Sequence, residues 1–126
     1  MGNDLQRMKT SSKIIPEEFY TITDTGNGDM KCRISALCCF VHELYTVEKY
    51  LGTLNEKAGK QANNTITNAL ELLKLLDASY SKTEPSQYLE KQCEQCKQHK
   101  AHTTTKNLEG FIEDFEALLK NLATNL

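Results

Sequence analysis

The sequence predicts an all-α protein, a four-helix bundle of up-up-down-down topology. Three observations carry this. Four segments repeat apolar residues at helical spacing. The links between them run long, short, long. The chain has 126 residues, which fits a single domain over 1–126. Short links join antiparallel neighbours, whereas parallel neighbours need a link that travels the length of the bundle. A helix of about 16 to 18 residues spans roughly 25 Å. An extended link covers up to about 3.3 Å per residue, so Pro16–Lys31 and Ser81–Thr104 are long enough to cross it.

The first segment, Asp4 to Ile15, offers only Leu5, Met8 and Ile15 before Pro16 stops it. Inside the link that follows, "FYTIT" has a β-like composition. The second segment, from about Arg33 to Leu51, carries Ile34, Leu37, Val41, Leu44, Tyr45 and Leu51, and Gly52 is expected to end it. Gly52 to Asn63 then reads as a short polar link. The third segment, from about Asn64 to Tyr80, lines up Ile66, Ala69, Leu70, Leu73, Leu76 and Tyr80, widened by Leu72 and Leu75. The breaker "TEPSQ" follows it. The fourth is the clearest: Leu108, Phe111, Ile112, Phe115, Leu118, Leu119 and Leu122 form one stripe, with Thr104 or Thr105 as the expected N-cap.

Composition narrows the function classes. Fifteen basic and seventeen acidic residues are well mixed, for a net charge of −2. No basic stripe with interleaved aromatics argues for nucleic acid. No apolar run approaches the roughly 20 residues of a membrane span. The start, "MGNDLQRMKT", lacks the apolar core of a signal peptide, so the chain reads as cytosolic or as a secreted protein whose signal has been removed. No hydrolytic or phosphate-binding constellation appears, and His42, His99 and His102 sit in no nucleophile motif. The expectation is a binding protein without cofactor rather than an enzyme.

The five cysteines carry the most information. Cys32 and Cys39 are seven apart, almost two helical turns, so both face one way. Cys38 points about 100° away from Cys39. Cys93 and Cys96 form a CxxC in the second long link. Two parallel bridges between these pairs would staple that link to the second helix. Each would close about 60 residues and contribute roughly 4 kcal/mol in the chain-entropy model. The rival is zinc on Cys93, Cys96, His99 and His102, although two residues between every ligand matches no common finger spacing. A thioredoxin-like CxxC needs a βαβ context that is missing. Five such cysteines favour an oxidising compartment. Cys38 is the thiol left over: a buried small hydrophobe, an exposed thiol or a dimer link. "NNT" from Asn63 to Thr65 satisfies the glycosylation acceptor pattern, and Asn63 or Asn64 equally suits a helix N-cap.

"CRISALCCFVHEL" followed by "CEQC" resembles the interleukin-2, interleukin-15 and interleukin-21 group of short-chain four-helix cytokines, the common gamma chain family. In the latter two, a cysteine, six residues and then Cys-Phe open helix B, and a CxxC precedes helix D. The resemblance runs from about Phe19 to the C-terminus, with "DLQ" near the start as a further match to interleukin-2. It implies up-up-down-down topology and bridges Cys32–Cys93 and Cys39–Cys96. It implies a secreted monomeric cytokine that assembles receptor chains to trigger lymphocyte proliferation signalling. Asp4 stands where the family's acidic residue on helix A meets the shared beta chain, and Asn68 stands where an asparagine meets the same chain. Lys120 stands where the family places a glutamine against the common gamma chain, a departure that makes neighbouring Asn121 the alternative contact. Glu43 and Tyr20 resemble the residues that meet the sushi domain of a private alpha chain. Each also has a plainer reading. Asp4 suits a helix N-terminus, Asn68 and Glu43 suit a solvated face, and Tyr20 suits packing over the bundle. The alternative to a cytokine is a small cytosolic helical protein that binds zinc or senses redox state.

Overall fold

The computed structural model describes residues 7–8, 17–22, 30–77, 80, 85–94 and 103–124. In chain order these give β1 (Phe19–Ile22), α1 (Met30–Leu54), α2 (Glu56–Leu76), α3 (Pro85–Cys93), β2 (Thr103–Lys106) and α4 (Leu108–Thr124). The protein is mostly helical, with four helices and a two-stranded sheet among the described residues. Of the first expected helix, Arg7 and Met8 are described; both are helical and Met8 is buried.

The second segment folds as expected but does not stop at Gly52. Leu37, Val41, Leu44, Val47 and Leu51 recur every three or four residues and are all buried. Tyr45, expected on this stripe, is displaced about 100° from Leu44 and is 38 % exposed. The helix runs on to Leu54, and the Asn55 amide still reaches the Leu51 carbonyl at 2.9 Å. Asn55 alone reverses the chain. Its Oδ1 accepts from the Lys57 amide at 2.8 Å and caps α2.

The expected polar link is therefore helix, and α2 begins at Glu56 rather than near Asn64. Its inward stripe continues through Ala58, Gln61, Ala62 and Thr65 before reaching Ile66, Ala69 and Leu73. Small and polar residues carry the first half of that stripe, so hydrophobic periodicity does not register it. Asn63 and Asn64 lie inside the helix and cap nothing. The helix ends at Leu76, leaving Tyr80 outside and Leu75 84 % exposed.

One glycine, Gly59, lets α2 approach the backbone of α1. A Cβ on Gly59 would lie 3.0 Å from the Gly52 Cα, whereas a Cβ on Gly52 would meet nothing. Helix propensity favours alanine over glycine by about 0.5–1 kcal/mol at either position. Backbone cannot yield as a side-chain tip does, so Gly59→Ala is expected to destabilise by about 1–2 kcal/mol. Gly52→Ala is expected to stabilise by about 0.5–1 kcal/mol. Urea melts of both variants check the contrast, and two shifts of the same sign would contradict the close crossing.

The "FYTIT" stretch is β1, paired antiparallel with β2 in the register Phe19↔Lys106 to Ile22↔Thr103. Thr104 and Thr105 thus lie in a strand, as β-branched residues favour, and cap nothing. The N-cap of α4 is Asn107, whose Oδ1 accepts from the Gly110 amide at 2.9 Å. The second long link also holds α3, opened by Pro85 at a position where a missing N–H costs nothing. Phe19, Phe40, Phe111 and Phe115 meet at the centre of the core, with ring centroids 5.4 to 6.1 Å apart. Along α4, Leu108, Ile112, Leu118 and Leu122 extend this core as the stripe predicts.

Candidate functional site

Cys39 is bridged to Cys93, with Cα atoms 4.7 Å apart. This corrects both expected pairings, Cys32–Cys93 and Cys39–Cys96. Cys32 is disulfide-bonded as well, and Cys96 lies outside the described residues. The cause is where α3 ends. A helix leaves its last carbonyls without intrahelical partners. The Ser35 hydroxyl donates to the carbonyls of Gln92 at 2.6 Å and Cys93 at 3.1 Å. Those bonds seat the end of α3 over Ser35 to Cys39, beside Cys39 rather than Cys32. Face geometry alone permits either pairing.

Among the described residues Cys38 is the free cysteine, and it is completely buried. Its neighbours are Tyr88, which hydrogen-bonds it, and Asp77, which accepts from the Tyr88 hydroxyl at 2.6 Å. Burial pushes the Cys38 thiol from 9.0 up to about 12; the Asp77 carboxylate adds to the rise and the Tyr88 hydrogen bond opposes it. Burial also raises the Tyr88 hydroxyl, as does its bond to Asp77. The folded chain keeps protons here that the unfolded chain has lost. The stability this thiol contributes is complete below pH 9.0 and declines as pH rises toward about 12. Cys38→Ala is expected to flatten part of that alkaline decline, with Tyr88 sustaining the rest. Thiol labelling at pH 8 should proceed only after unfolding; rapid labelling of native protein would contradict this burial.

The most developed surface feature lies where β1 crosses α1. Phe19 anchors the strand inward, with its ring 5.9 Å from Tyr50 and 6.1 Å from Phe111. Strand alternation turns the next side chain outward, and Tyr20 is 66 % exposed. Its amide donates to Glu43 Oε2 at 3.3 Å, tying β1 to α1. On the other side, Thr21 Oγ1 donates to Asp114 Oδ2 at 2.7 Å, and Lys106 pairs with the same carboxylate at 3.1 Å. Thr105 Oγ1 donates to Glu18 at 2.7 Å. Both strands are thus fastened to α4 through Asp114, and β1 also to α1. The result is a ledge that exposes the Tyr20 side chain, with the half-buried Glu43 carboxylate bound to the Tyr20 backbone amide. Exposed tyrosines of low conformational freedom suit protein recognition.

Of the residues singled out in the sequence, the structure brings Tyr20 and Glu43 together. Asp4 lies outside the described residues, as do His99 and His102. Asn68 is half-buried on α2; Lys120 is exposed and Asn121 half-buried on α4. Asn63 is exposed on α2, and its Nδ2 donates to Glu48 Oε2 at 2.9 Å. Sequence reasoning missed Asp114 as the tie between sheet and bundle, because it reads as one more acidic residue on a solvated helix face. The zinc set loses Cys93, since a bridged sulfur is not a thiolate ligand. Among the described residues no cluster of three or more His, Cys, Asp or Glu is placed to hold a metal, and no helix is long and apolar enough to cross a membrane. No protein-family model, curated protein or solved structure matches the chain.

Proposed function

We propose that the chain is a secreted cytokine of the interleukin-2 and interleukin-15 type, acting by gathering receptor ectodomains. The observation that carries this reading is the Tyr20–Glu43 contact. These residues are 23 positions apart, and the resemblance assigns both to the same partner, a sushi-type alpha chain. Their convergence on one ledge supplies an aromatic anchor and a carboxylate for a basic partner surface.

The pairing of the strands favours up-up-down-down topology. In that topology the first long link descends the bundle and the second ascends it. Strands β1 and β2, one from each link, run antiparallel. The bridge Cys39–Cys93 departs from the family's pairing, so the reading rests on the helices, the crossed links and the ledge rather than on the cysteine frame. A disulfide between two parts of a small domain suits an oxidising, extracellular setting. Beta-chain binding is assigned to Asp4 and Asn68, and gamma-chain binding to Lys120 and Asn121.

Surface plasmon resonance against beta, gamma and sushi-type alpha ectodomains tests the reading. Glu43→Lys is expected to weaken alpha-chain binding by about 2 kcal/mol, the scale of an interface hot spot. Its thermal midpoint should stay near wild type, since the bond to Tyr20 is exposed. Asp4→Lys should weaken beta-chain binding in the same selective way. If none of the three ectodomains binds, the cytokine mechanism is lost.

A further inference from the structure

We propose that the groove at the α1–α2 crossing seats an N-linked glycan carried on Asn63. This rests on the secretory reading above. The groove has a volume of about 500 Å³ and is lined by Glu48, Lys49, Gly52, Thr53, Lys60 and Asn63, among others. Asn63 is exposed and opens the acceptor pattern Asn-Asn-Thr. Its Nδ2, the atom that takes the sugar, already donates to Glu48 Oε2 at 2.9 Å, which holds the amide against α1. Gly52 leaves bare backbone in the groove, with open space where a Cβ would be. Carboxylate, ammonium and hydroxyl groups around an uncovered backbone patch match a saccharide, which presents hydroxyls at its edge and C–H groups on its face. Asn68 lies five residues on, about 140° around the helix, so a glycan in the groove leaves the proposed beta-chain contact uncovered.

The same geometry dates the modification. The acceptor pattern needs the Thr65 hydroxyl, yet Thr65 is completely buried and its Oγ1 donates to the Gln61 carbonyl at 3.0 Å. Transfer must therefore precede closure of α2 onto the core. In the transfer, Asn63 Nδ2 bonds to the anomeric carbon of a lipid-pyrophosphate-linked oligosaccharide. The lipid pyrophosphate leaves with the electron pair of the broken C–O bond, and Nδ2 gives up one proton. The N–H that remains is available to Glu48.

The test is the whole chain secreted from mammalian cells behind a leader. Intact mass should show one glycan that Asn63→Gln removes. Absence of any glycan at Asn63 would overturn this proposal and leave the secretory reading to the receptor-binding test. Native release by peptide:N-glycosidase should be at least tenfold slower than release from denatured protein, and proton NOEs should link the first sugar to Gly52 and Thr53. Gly52→Gln, which occupies the groove without a Cβ clash, should bring native release close to the denatured rate. A glycan that shows no NOEs, or that Gly52→Gln releases as slowly as wild type, overturns the groove while leaving secretion intact. Circular dichroism melts verify that Gly52→Gln folds. Isolated oligosaccharyltransferase should modify an unfolded peptide spanning 56–76 and leave the folded, unglycosylated chain untouched; modification of the folded chain would overturn the timing.

Discussion

Replacing Cys39 and Cys93 together with serine is expected to cost about 4 kcal/mol of folding stability. The bridge spans 54 residues, and closing a loop of that size restricts the unfolded ensemble by about this amount. A domain of this size holds only about 5–15 kcal/mol in total, so the variant should sit near the edge of folding. The midpoint in urea should fall with little change in slope. Peptide mapping of acid-trapped protein should recover Cys39 linked to Cys93. Recovery of Cys39 linked to Cys96 would restore the family's pairing and contradict the bridge Cys39–Cys93. A loss below about 1 kcal/mol would mean the cross-link hardly constrains the unfolded chain.

Phe111→Ala is the second large effect, about 3–5 kcal/mol, in the range measured for aromatic truncation in packed cores. Phe111 is completely buried and meets Phe19 and Phe40 at 6.1 and 5.4 Å. It joins three elements: β1, α1 and α4. Its loss removes the wall against which Phe19 is anchored, so the ledge should loosen beyond the global effect. Hydrogen exchange should show amides 19–22 losing more protection than those of α2. Uniform loss across both would mean that β1 is held by its hydrogen bonds to β2 and Glu43 rather than by Phe19. Phe111→Leu, which keeps most of the volume, is expected to cost less than the alanine variant. Weakened alpha-chain binding by Phe111→Ala at temperatures where the chain is still folded would connect this packing to the proposed function.

The α4 stripe was legible because it is written in large apolar side chains at a local spacing, and six of its seven members are buried. The β-like character of "FYTIT" was legible for the same local reason, through β-branched and aromatic residues. The first half of α2 was not. Ala58, Gln61 and Ala62 face inward, but they fit there because Gly59 lets α2 lie close against the backbone of α1 at Gly52. That fit depends on a neighbour rather than on hydrophobicity. The candidate site was legible only in pieces. Tyr20 and Glu43 were singled out separately; the hydrogen bond between them, and Asp114 beneath them, belong to chain crossings that no local pattern records.

By itself the sequence determined a helical chain, the inward faces of α1 and α4, the β1 segment and a cysteine set with one member in excess. Periodicity and composition are local properties, and each of these follows from residues within a few turns of one another. Tertiary structure decided the one-residue reversal at Asn55, the bridge Cys39–Cys93, the burial of Cys38 and the ledge at Tyr20. Each depends on which carbonyl, ring or carboxylate a distant segment presents. Two cysteines on one helix face are equivalent in sequence. They cease to be so when Ser35 accommodates the end of α3 and places Cys93 beside Cys39.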